Sequence, residues 1–536
     1  MGALTTIEKT SDIEVLRALA HTQQNEIANL RMQLLLRDER IAGLVRDAFA
    51  RTSEKLSRGE NSGEPTLFDE AEYIVRESRN AKPEEETPTV VASHVRRRGK
   101  RARLPESLPR IEEIIDIPDE IKFCSCGAPL IRIGEDVSEK LEVIPMQFRV
   151  RKTIRPRYAC SAGKKEHGES AGQVIVAPVP PTILPKTNAT PSLLATLVTW
   201  KYQDALPLFR QEKIFSRNGI ELTRATMSRW ILDLGEKCRP IGEEIEALIR
   251  AGPFMGMDET PTKVFGEEGR PDIRTSYMWV ARGGIAEKKG VVFRYHPERS
   301  DKLPAEFLTG YEGVLQSDGY DVYDKVVKGT PIIHVGCMAH ARRRFIKAKK
   351  SGKIPCSADT AIDYIKRLYK IEREADELKL PDAERVAYRT KNAVPILTAF
   401  RAWCEEKSMT VPPESLIGKA VSYTLSQWNK LIRYIDYGFV SPDNNVLENA
   451  IRPFVIGRKN FMFSGSPDGA KASAILYSII ETAKANGHEP FQYLYYLFSL
   501  LPTARTQADS DALLPFNVSP ASVRAFVSAN WLGVVL

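Results

Sequence analysis

Three acidic residues lie in runs that would hold them rigidly. Asp258 lies in FMGMDETPTKV, Asp318 in VLQSDGY, and Glu448 in SPDNNVLENAIRPFVIGRKN. Converging carboxylates are the ligand set for phosphoryl transfer. Mg2+ dehydrates reluctantly and is usually held by one or two carboxylates plus substrate phosphate oxygens. Two such ions, ~3.5–4 Å apart, need a cluster of acids. One ion activates the attacking oxygen and the other stabilises the leaving oxygen of an in-line displacement. The chain carries 69 Asp plus Glu, so each acid taken alone also reads as an ordinary strand end or, for Glu448, as a partner of Arg452.

The elements that must position these acids follow from local pattern. FMGMDETPTKV, SYMWVARGG and KGVVFRYHP read as three β-strands joined by turns rich in Gly and charge. A helix over DKLPAEFLTGY comes next, then a fourth strand, VLQSDGY, and a fifth, TPIIHVGCMAH, leading into a basic helix, ARRRFIKAKK. This order predicts a mixed α/β domain of the kind found in RNase H-like nucleases, with Asp258 within the first strand and Asp318 at the end of the fourth. Ser441 and Pro442 predict a helix start, as N-cap and first helical residue. Leu447, Ile451, Phe454 and Val455 then form its buried stripe, and Asn445, Glu448 and Arg452 share another face. Arg342, Arg343 and Arg344 on the basic helix, with Arg452, are candidates for meeting phosphate, or are plain surface charge.

Upstream segments read as partners for nucleic acid. Two or three short helices over 191–219 end at Gly219, and Thr223 opens TRATMSRWILDLGEK, with Met227, Trp230, Ile231 and Leu234 on its apolar face. This is the layout of a helix-turn-helix reader, whose recognition positions would be Arg224, Thr226, Ser228 and Arg229. Cys124, Cys126, Cys160 and His167 flank a strand-like stretch and could complete a four-ligand zinc ribbon. The close spacing of the first pair and the missing fourth Cys leave a ribbon without metal as the other reading. Residues 51–95 read as a polar linker ending in the basic run Arg96–Arg103, suited to phosphate contact or to solvent. Ile13, Leu16, Ala20, Gln23, Ile27, Leu30, Leu34, Arg37, Ile41 and Leu44 alternate steps of three and four, the seam of a coiled coil.

Composition narrows the class further. In 536 residues, Lys plus Arg total 77, for a net charge of +8, and 43% of residues are hydrophobic. No apolar run is long enough for a membrane span, and no secretory signal opens the chain, so a cytoplasmic protein without membrane contact is expected. Seven Cys in a long chain point to reduced thiols or metal ligands rather than a disulfide framework.

MDET, SDGY, CMAHARRRF and NNVLENAIRPFVIGRKNFMFSGS resemble the transposases of the insertion sequence 66 family, as do KYQDALPLFRQEKIFSRNGIELTRATMSRW and the closing LLPFNVSP. The resemblance covers nearly the whole chain. It implies a DDE transposase with an RNase H-like core, Mg2+ dependence, and binding, cleavage and strand transfer at the terminal repeats of its own element and at target DNA, hence association with the bacterial nucleoid. The family's catalytic acids fall on Asp258, Asp318 and Glu448. The expected map is a coiled coil over 1–50, a basic linker over 51–104, a zinc-ribbon-like domain over 105–185, and a helix-turn-helix domain over 186–245. A catalytic domain over 246–502, with a helical insertion at about 350–435, and a C-terminal segment over 503–536 complete it. The expected assembly is at least dimeric, with helper proteins an open matter. Two alternatives stand beside it: a catalytically silent DNA-binding descendant of a transposase, and a tyrosine-type recombinase built on His340, Arg343 and Tyr364 or Tyr369.

Overall fold

The computed structural model of the chain describes residues 147–159, 174–285, 287–349 and 356–530, with helical pieces between 17 and 37. The chain divides into two compact units, one spanning 51–179 and the other 1–50 with 180–536. In the first unit, Arg157–Ala159 (β1) pairs antiparallel with Val174–Val176 (β2). The expected zinc ligands Cys124, Cys126, Cys160 and His167 and the basic run Arg96–Arg103 lie outside the described residues. In the N-terminal pieces, the seam residues Ile27, Leu30 and Leu34 expose half or more of their surface.

The larger unit opens with three helices, Pro191–Tyr202 (α1), Leu208–Arg217 (α2) and Arg224–Ala251 (α3). Gly219 turns the chain between α2 and α3 at φ +72°, a left-handed conformation that costs glycine little. The Thr223 hydroxyl caps α3 by accepting the Thr226 N–H at 3.3 Å. Met227, Trp230, Ile231 and Leu234 are buried as their spacing predicts. The helix does not stop with the predicted segment. Cys238, Ile241, Ile245 and Ile249 continue the three-and-four spacing, and α3 runs through Pro240 to pack against the sheet. The candidate reader and the sheet that follows are therefore joined by one continuous helix.

The sheet has the order β5-β4-β3-β6-β7, built from Phe254–Thr262 (β3), Ser276–Ile285 (β4), Lys288–His296 (β5), Val314–Gln316 (β6) and Ile333–Val335 (β7). The first three strands pair antiparallel, and β6 and β7 add parallel to β3. Helices Lys302–Leu308 (α4), Asp321–Val327 (α5) and Met338–Ala348 (α6) follow β5, β6 and β7. A helical bundle then departs from the sheet: Ser357–Glu377 (α7), Asp382–Thr410 (α8), Leu416–Ser426 (α9) and Trp428–Leu431 (α10). Its core joins Phe345 of α6 to Ile365, Leu368, Phe400 and Trp428.

The chain returns to the sheet through Asn445–Phe461 (α11) and Pro467–Ala485 (α12), then Pro490–Leu500 (α13), Gln507–Ala512 (α14) and Pro520–Asn530 (α15). Edge strand β5 is closed off by α12, where Ser478 and Thr482 accept the N–H groups of Phe293 and Val291 at 2.8 and 3.0 Å. Two local expectations are corrected. The helix bearing Glu448 starts at Asn445 rather than at Pro442, because Ser441–Asn444 spends its backbone on tertiary contacts: Gln316 Nε2 donates to the Ser441 carbonyl at 2.7 Å and the Met338 N–H to the Pro442 carbonyl at 2.8 Å. Leu447, Ile451 and Phe454 are buried, whereas Val455 is half-buried and Gly457 completes the stripe. Among the described residues no helix is long and apolar enough to cross a membrane.

Candidate active site

The three acids come from three separate elements. Asp258 sits in the middle of β3, opposite Val280 of β4. Asp318 lies just past the end of β6, where its Oδ1 accepts the Tyr320 N–H at 3.0 Å. Glu448 occupies the first turn of α11, where the partial positive end of the helix favours a carboxylate. Their fields overlap at Asp258. Burial first, then the neighbouring Glu259 and Asp318, and finally Glu448 push its carboxyl up to about 8, against the opposing Glu259 N–H that donates to Oδ1 at 2.8 Å. Burial and like charge both disfavour the ionised form of this carboxyl, and a cation beside it would favour that form again.

The start of α11 approaches β3 at a glycine. A Cβ on Gly256 would come within 2.8 Å of Asn444 Oδ1, so any larger residue there would push the Asn444 side chain aside. Asn444 is held on its other side too, its N–H donating to Cys337 Sγ at 3.3 Å. Burial pushes the Cys337 thiol up to about 12, so it serves there as a neutral acceptor.

Around Glu448 the structure gathers Arg343, expected to meet phosphate, together with Cys337 and His340, which sequence reasoning did not assign to this site. Arg343 of α6 forms an ion pair with it, and Arg343 Nη1 reaches His340 Nε2 at 3.3 Å. The ligand-type atoms of Cys337, His340 and Glu448 lie within 4.8 Å of one another. Glu448 Oε1 and His340 Nδ1 are buried without a hydrogen-bond partner. Glu259 adds a fourth carboxylate, raised by burial although Arg299 pairs with it, and it accepts the Tyr323 hydroxyl at 3.1 Å. The signal for Cys337 and His340 was present: CMAH follows directly on β7, the strand beside the one that leads to Asp318.

The donor set fits divalent ions. Asp258, Asp318 and Glu448 offer oxygen ligands, repulsion among them raises Asp258, and one buried carboxylate oxygen of Glu448 lacks a partner. Any one of these features alone would be ordinary. Together they describe a cluster of acids in which Glu448 and Glu259 are met by Arg343 and Arg299 while burial and like charge raise Asp258.

The candidate DNA contacts are more scattered. On α3, Arg224, Ser228 and Arg229 are exposed and Thr226 is half-buried, with Arg224 ion-paired to Glu212 at 3.0 Å. On α6, Arg343 meets the carboxylate of Glu448, Arg344 stacks over the Tyr423 ring at 3.9 Å, and Arg342 Nε is buried without a partner. Arg452 is half-buried on α11. The tyrosines weighed for recombinase chemistry belong to the helical bundle. Tyr364 stacks on Phe400 with ring centroids 5.4 Å apart, and the Tyr369 hydroxyl, bonded to Asp443, is raised by burial.

Comparison with known proteins identifies the family. Residues 186–472 match the model described as Transposase IS66 family. Residues 122–162 match the zinc-finger binding domain of transposase IS66, a span that includes Cys124, Cys126 and Cys160 and stops short of His167. Residues 478–516 match the IS66 C-terminal element, and 38–112 a model described as Transposase C of IS166 homeodomain. Among curated proteins, the uncharacterized protein y4jD of Sinorhizobium fredii (strain NBRC 101917 / NGR234) is 31% identical over 426 residues, 77% of this chain and 81% of its own. The uncharacterized protein y4qI of the same organism is 31% identical over 431 residues, 78% of this chain and 77% of its own. The core match spans more than half of the chain and takes in all three acids, so the chain belongs to the IS66 family of transposases, enzymes that cut and join DNA.

Proposed function

We propose that this transposase binds the terminal repeats of its own insertion sequence and carries out strand cleavage and strand transfer with Asp258, Asp318 and Glu448 as its catalytic acids. The observation that supports the reading is that Asp318, past the end of β6, and Glu448, on α11, both bear electrostatically on Asp258 of β3, on a sheet of order β5-β4-β3-β6-β7. That strand order and those positions support an RNase H-like core. Asp258, Asp318 and Glu448 would hold two Mg2+ ions, which when bound activate the attacking oxygen and stabilise the leaving oxygen of an in-line displacement.

The chain's own part is to orient and to neutralise. Asp318 is fixed by the Tyr320 N–H, and Glu448 is steadied from one side by Arg343. Water is the attacking group for hydrolysis and a DNA 3′-hydroxyl for joining, so no covalent bond to protein forms. Arg224, Thr226, Ser228 and Arg229, at the start of α3, would read the terminal repeat, and Arg342, Arg344 and Arg452 would meet phosphate.

The test is nicking of labelled element ends by purified protein in Mg2+. Asp258→Asn and Asp318→Asn should lower nicking by at least ~100-fold, the range seen when charge-stabilising groups are removed, while specific end binding persists in a gel shift. Nicking by either variant at the normal rate would show that the acids are misassigned.

A further inference from the structure

The helical bundle α7–α10 enters the chain between α6 and α11, and neither Asp258 nor Asp318 belongs to it. Its last two helices nevertheless close on the loop that carries Asp318. That loop is short, because β6 ends at Gln316 and α5 begins at Asp321.

Tyr423 of α9 holds the side after the acid. The Gly319 N–H donates to its hydroxyl. A Cβ on Gly319 would come within 2.7 Å of the Tyr423 ring, so loop and ring are in direct contact. Arg344 of α6 lies over the same ring, 3.9 Å from its centre, and restrains it. Burial and then the charge of Asp318 push the Tyr423 hydroxyl up to about 12, so the phenol stays neutral beside the acid.

The short helix α10 holds the side before the acid. Lys430 Nζ reaches both carboxylate oxygens of Asp324 on α5, at 2.9 and 2.7 Å. Asp324 meets one ring nitrogen of His334 on β7 at 3.0 Å, and the other lies 2.8 Å from Ser317 Oγ. The Lys430 carbonyl also accepts the Gly336 N–H at 3.0 Å, which fixes α10 to the end of β7. Ser317 and Gly319, the two neighbours of Asp318, are therefore both gripped from the bundle. The bundle's own core is apolar and uses neither the Tyr423 hydroxyl nor the Lys430 ammonium. Those polar groups are turned toward the catalytic loop instead.

We propose that the bundle positions Asp318 for metal, with Tyr423 acting through Gly319, and Lys430 acting through Asp324, His334 and Ser317. The proposal rests on the reading of Asp318 as a catalytic acid. Asp318 itself is half-buried, and its carboxylate accepts the Tyr320 N–H from within the same loop. That bond turns the side chain but does not anchor the loop. A ligand whose backbone drifts loses affinity for its ion, and groups behind the ligands set their orientation. Tyr423 and Lys430 are thus positioning residues, and the inserted bundle is a part of the active site's frame.

Mn2+ takes the same oxygen ligands as Mg2+, and its electron paramagnetic resonance signal in free solution is lost on binding. Titration of the full chain with Mn2+ in the absence of DNA reads the site directly. Nicking of element ends against Mg2+ concentration reads it in action. Tyr423→Phe, which keeps the ring under Arg344, and Lys430→Met should each weaken Mn2+ binding by ~10-fold, the lower end of what groups that orient metal ligands contribute. The Mg2+ needed for half-maximal nicking should rise by a similar factor, while the gel shift with element ends persists. Lys430→Arg, which keeps the charge, should stay near the unaltered chain. Tyr388→Phe removes a hydroxyl bonded to Glu374 elsewhere in the bundle and should leave both metal readouts unchanged. If Lys430→Met does not fold, Tyr423→Phe decides the matter. A lower Tm or lower maximal nicking at an unchanged metal requirement would mark both residues as merely structural and overturn the proposal. An equal rise in Tyr388→Phe would overturn it too. The two readings fail separately. An inactive Asp318→Asn beside a Tyr423→Phe of normal metal requirement defeats the positioning role alone, whereas normal nicking by Asp318→Asn defeats the acid assignment and the proposal with it.

Discussion

Asp318 is held by a relay of side chains that begins in the helical bundle. Lys430 of α10 donates to Asp324 at 2.7 Å, Asp324 bonds His334 Nδ1 at 3.0 Å, and His334 Nε2 lies 2.8 Å from the hydroxyl of Ser317, the residue before Asp318. An ionised Asp324 only accepts, so the His334 proton sits on Nδ1 and Nε2 accepts from Ser317. Burial lowers His334 to about 4, against an unfolded value near ~6.5. The folded imidazole is thus neutral, and its contribution to stability is present above about pH 6.5 and lost as pH falls toward 4. Thermal melts should show Tm falling through that window. His334→Gln should lower stability by ~1–3 kcal/mol at neutral pH and flatten the fall. An unchanged pH profile in the variant would show that another group governs it.

At the scale of elements, the return from the bundle to α11 decides where Glu448 stands. Arg389 of α8 is 1% exposed and donates to the carbonyls of Tyr434, Tyr437 and Val440 at 2.7, 2.8 and 2.9 Å. Its remaining donors grip both oxygens of Glu372 on α7, at 2.9 and 2.6 Å. One guanidinium thus ties two bundle helices to the 3-10 turn and loop leading into α11, with its hydrogen bonds met. Arg389→Met would leave buried Glu372 with only Arg385, at 3.4 Å, and three carbonyls without their donor, and breaking such a pair costs ~3–5 kcal/mol. Urea unfolding should show that loss, and nicking should fall as well because the lead-in to Glu448 loosens. A stability change below ~1 kcal/mol would show that the pair is dispensable.

For the whole molecule, joining two element ends requires two active sites, so we propose assembly through the N-terminal seam. Ile27, Leu30 and Leu34 lie on helix and expose half or more of their surface, as residues of an unpartnered seam would. The pair Leu30→Lys and Leu34→Lys should turn a dimer into a monomer in light scattering without altering the melt of the catalytic unit; a monomeric unaltered chain at micromolar concentration would defeat the idea. Metal analysis of protein purified without chelators should find about one zinc per chain if Cys124, Cys126, Cys160 and His167 form a closed structural site. A folded, DNA-binding preparation without zinc would favour the ribbon without metal.

What the sequence by itself determined is the part written in local pattern. Alternation and apolar runs located β3, β4 and β5, the three-and-four spacing of Met227, Trp230, Ile231 and Leu234 located the buried face of α3, and Gly219 marked the turn before it. Asp258 and Asp318 were legible because each follows from the strand that carries it. The rest needed the tertiary structure. The start of α11 looked settled by Ser441 and Pro442, yet contacts from Gln316 and Met338 claim those carbonyls and move it to Asn445. The pairing of Arg343 with Glu448, the placing of His340 beside it, and the grip of Arg389 on the return segment link residues far apart in the chain. Such contacts have no period and leave no mark on neighbouring residues. Only folding, by bringing α6 and α11 together beside the sheet and α8 against the turn that leads into α11, decides which charge meets which.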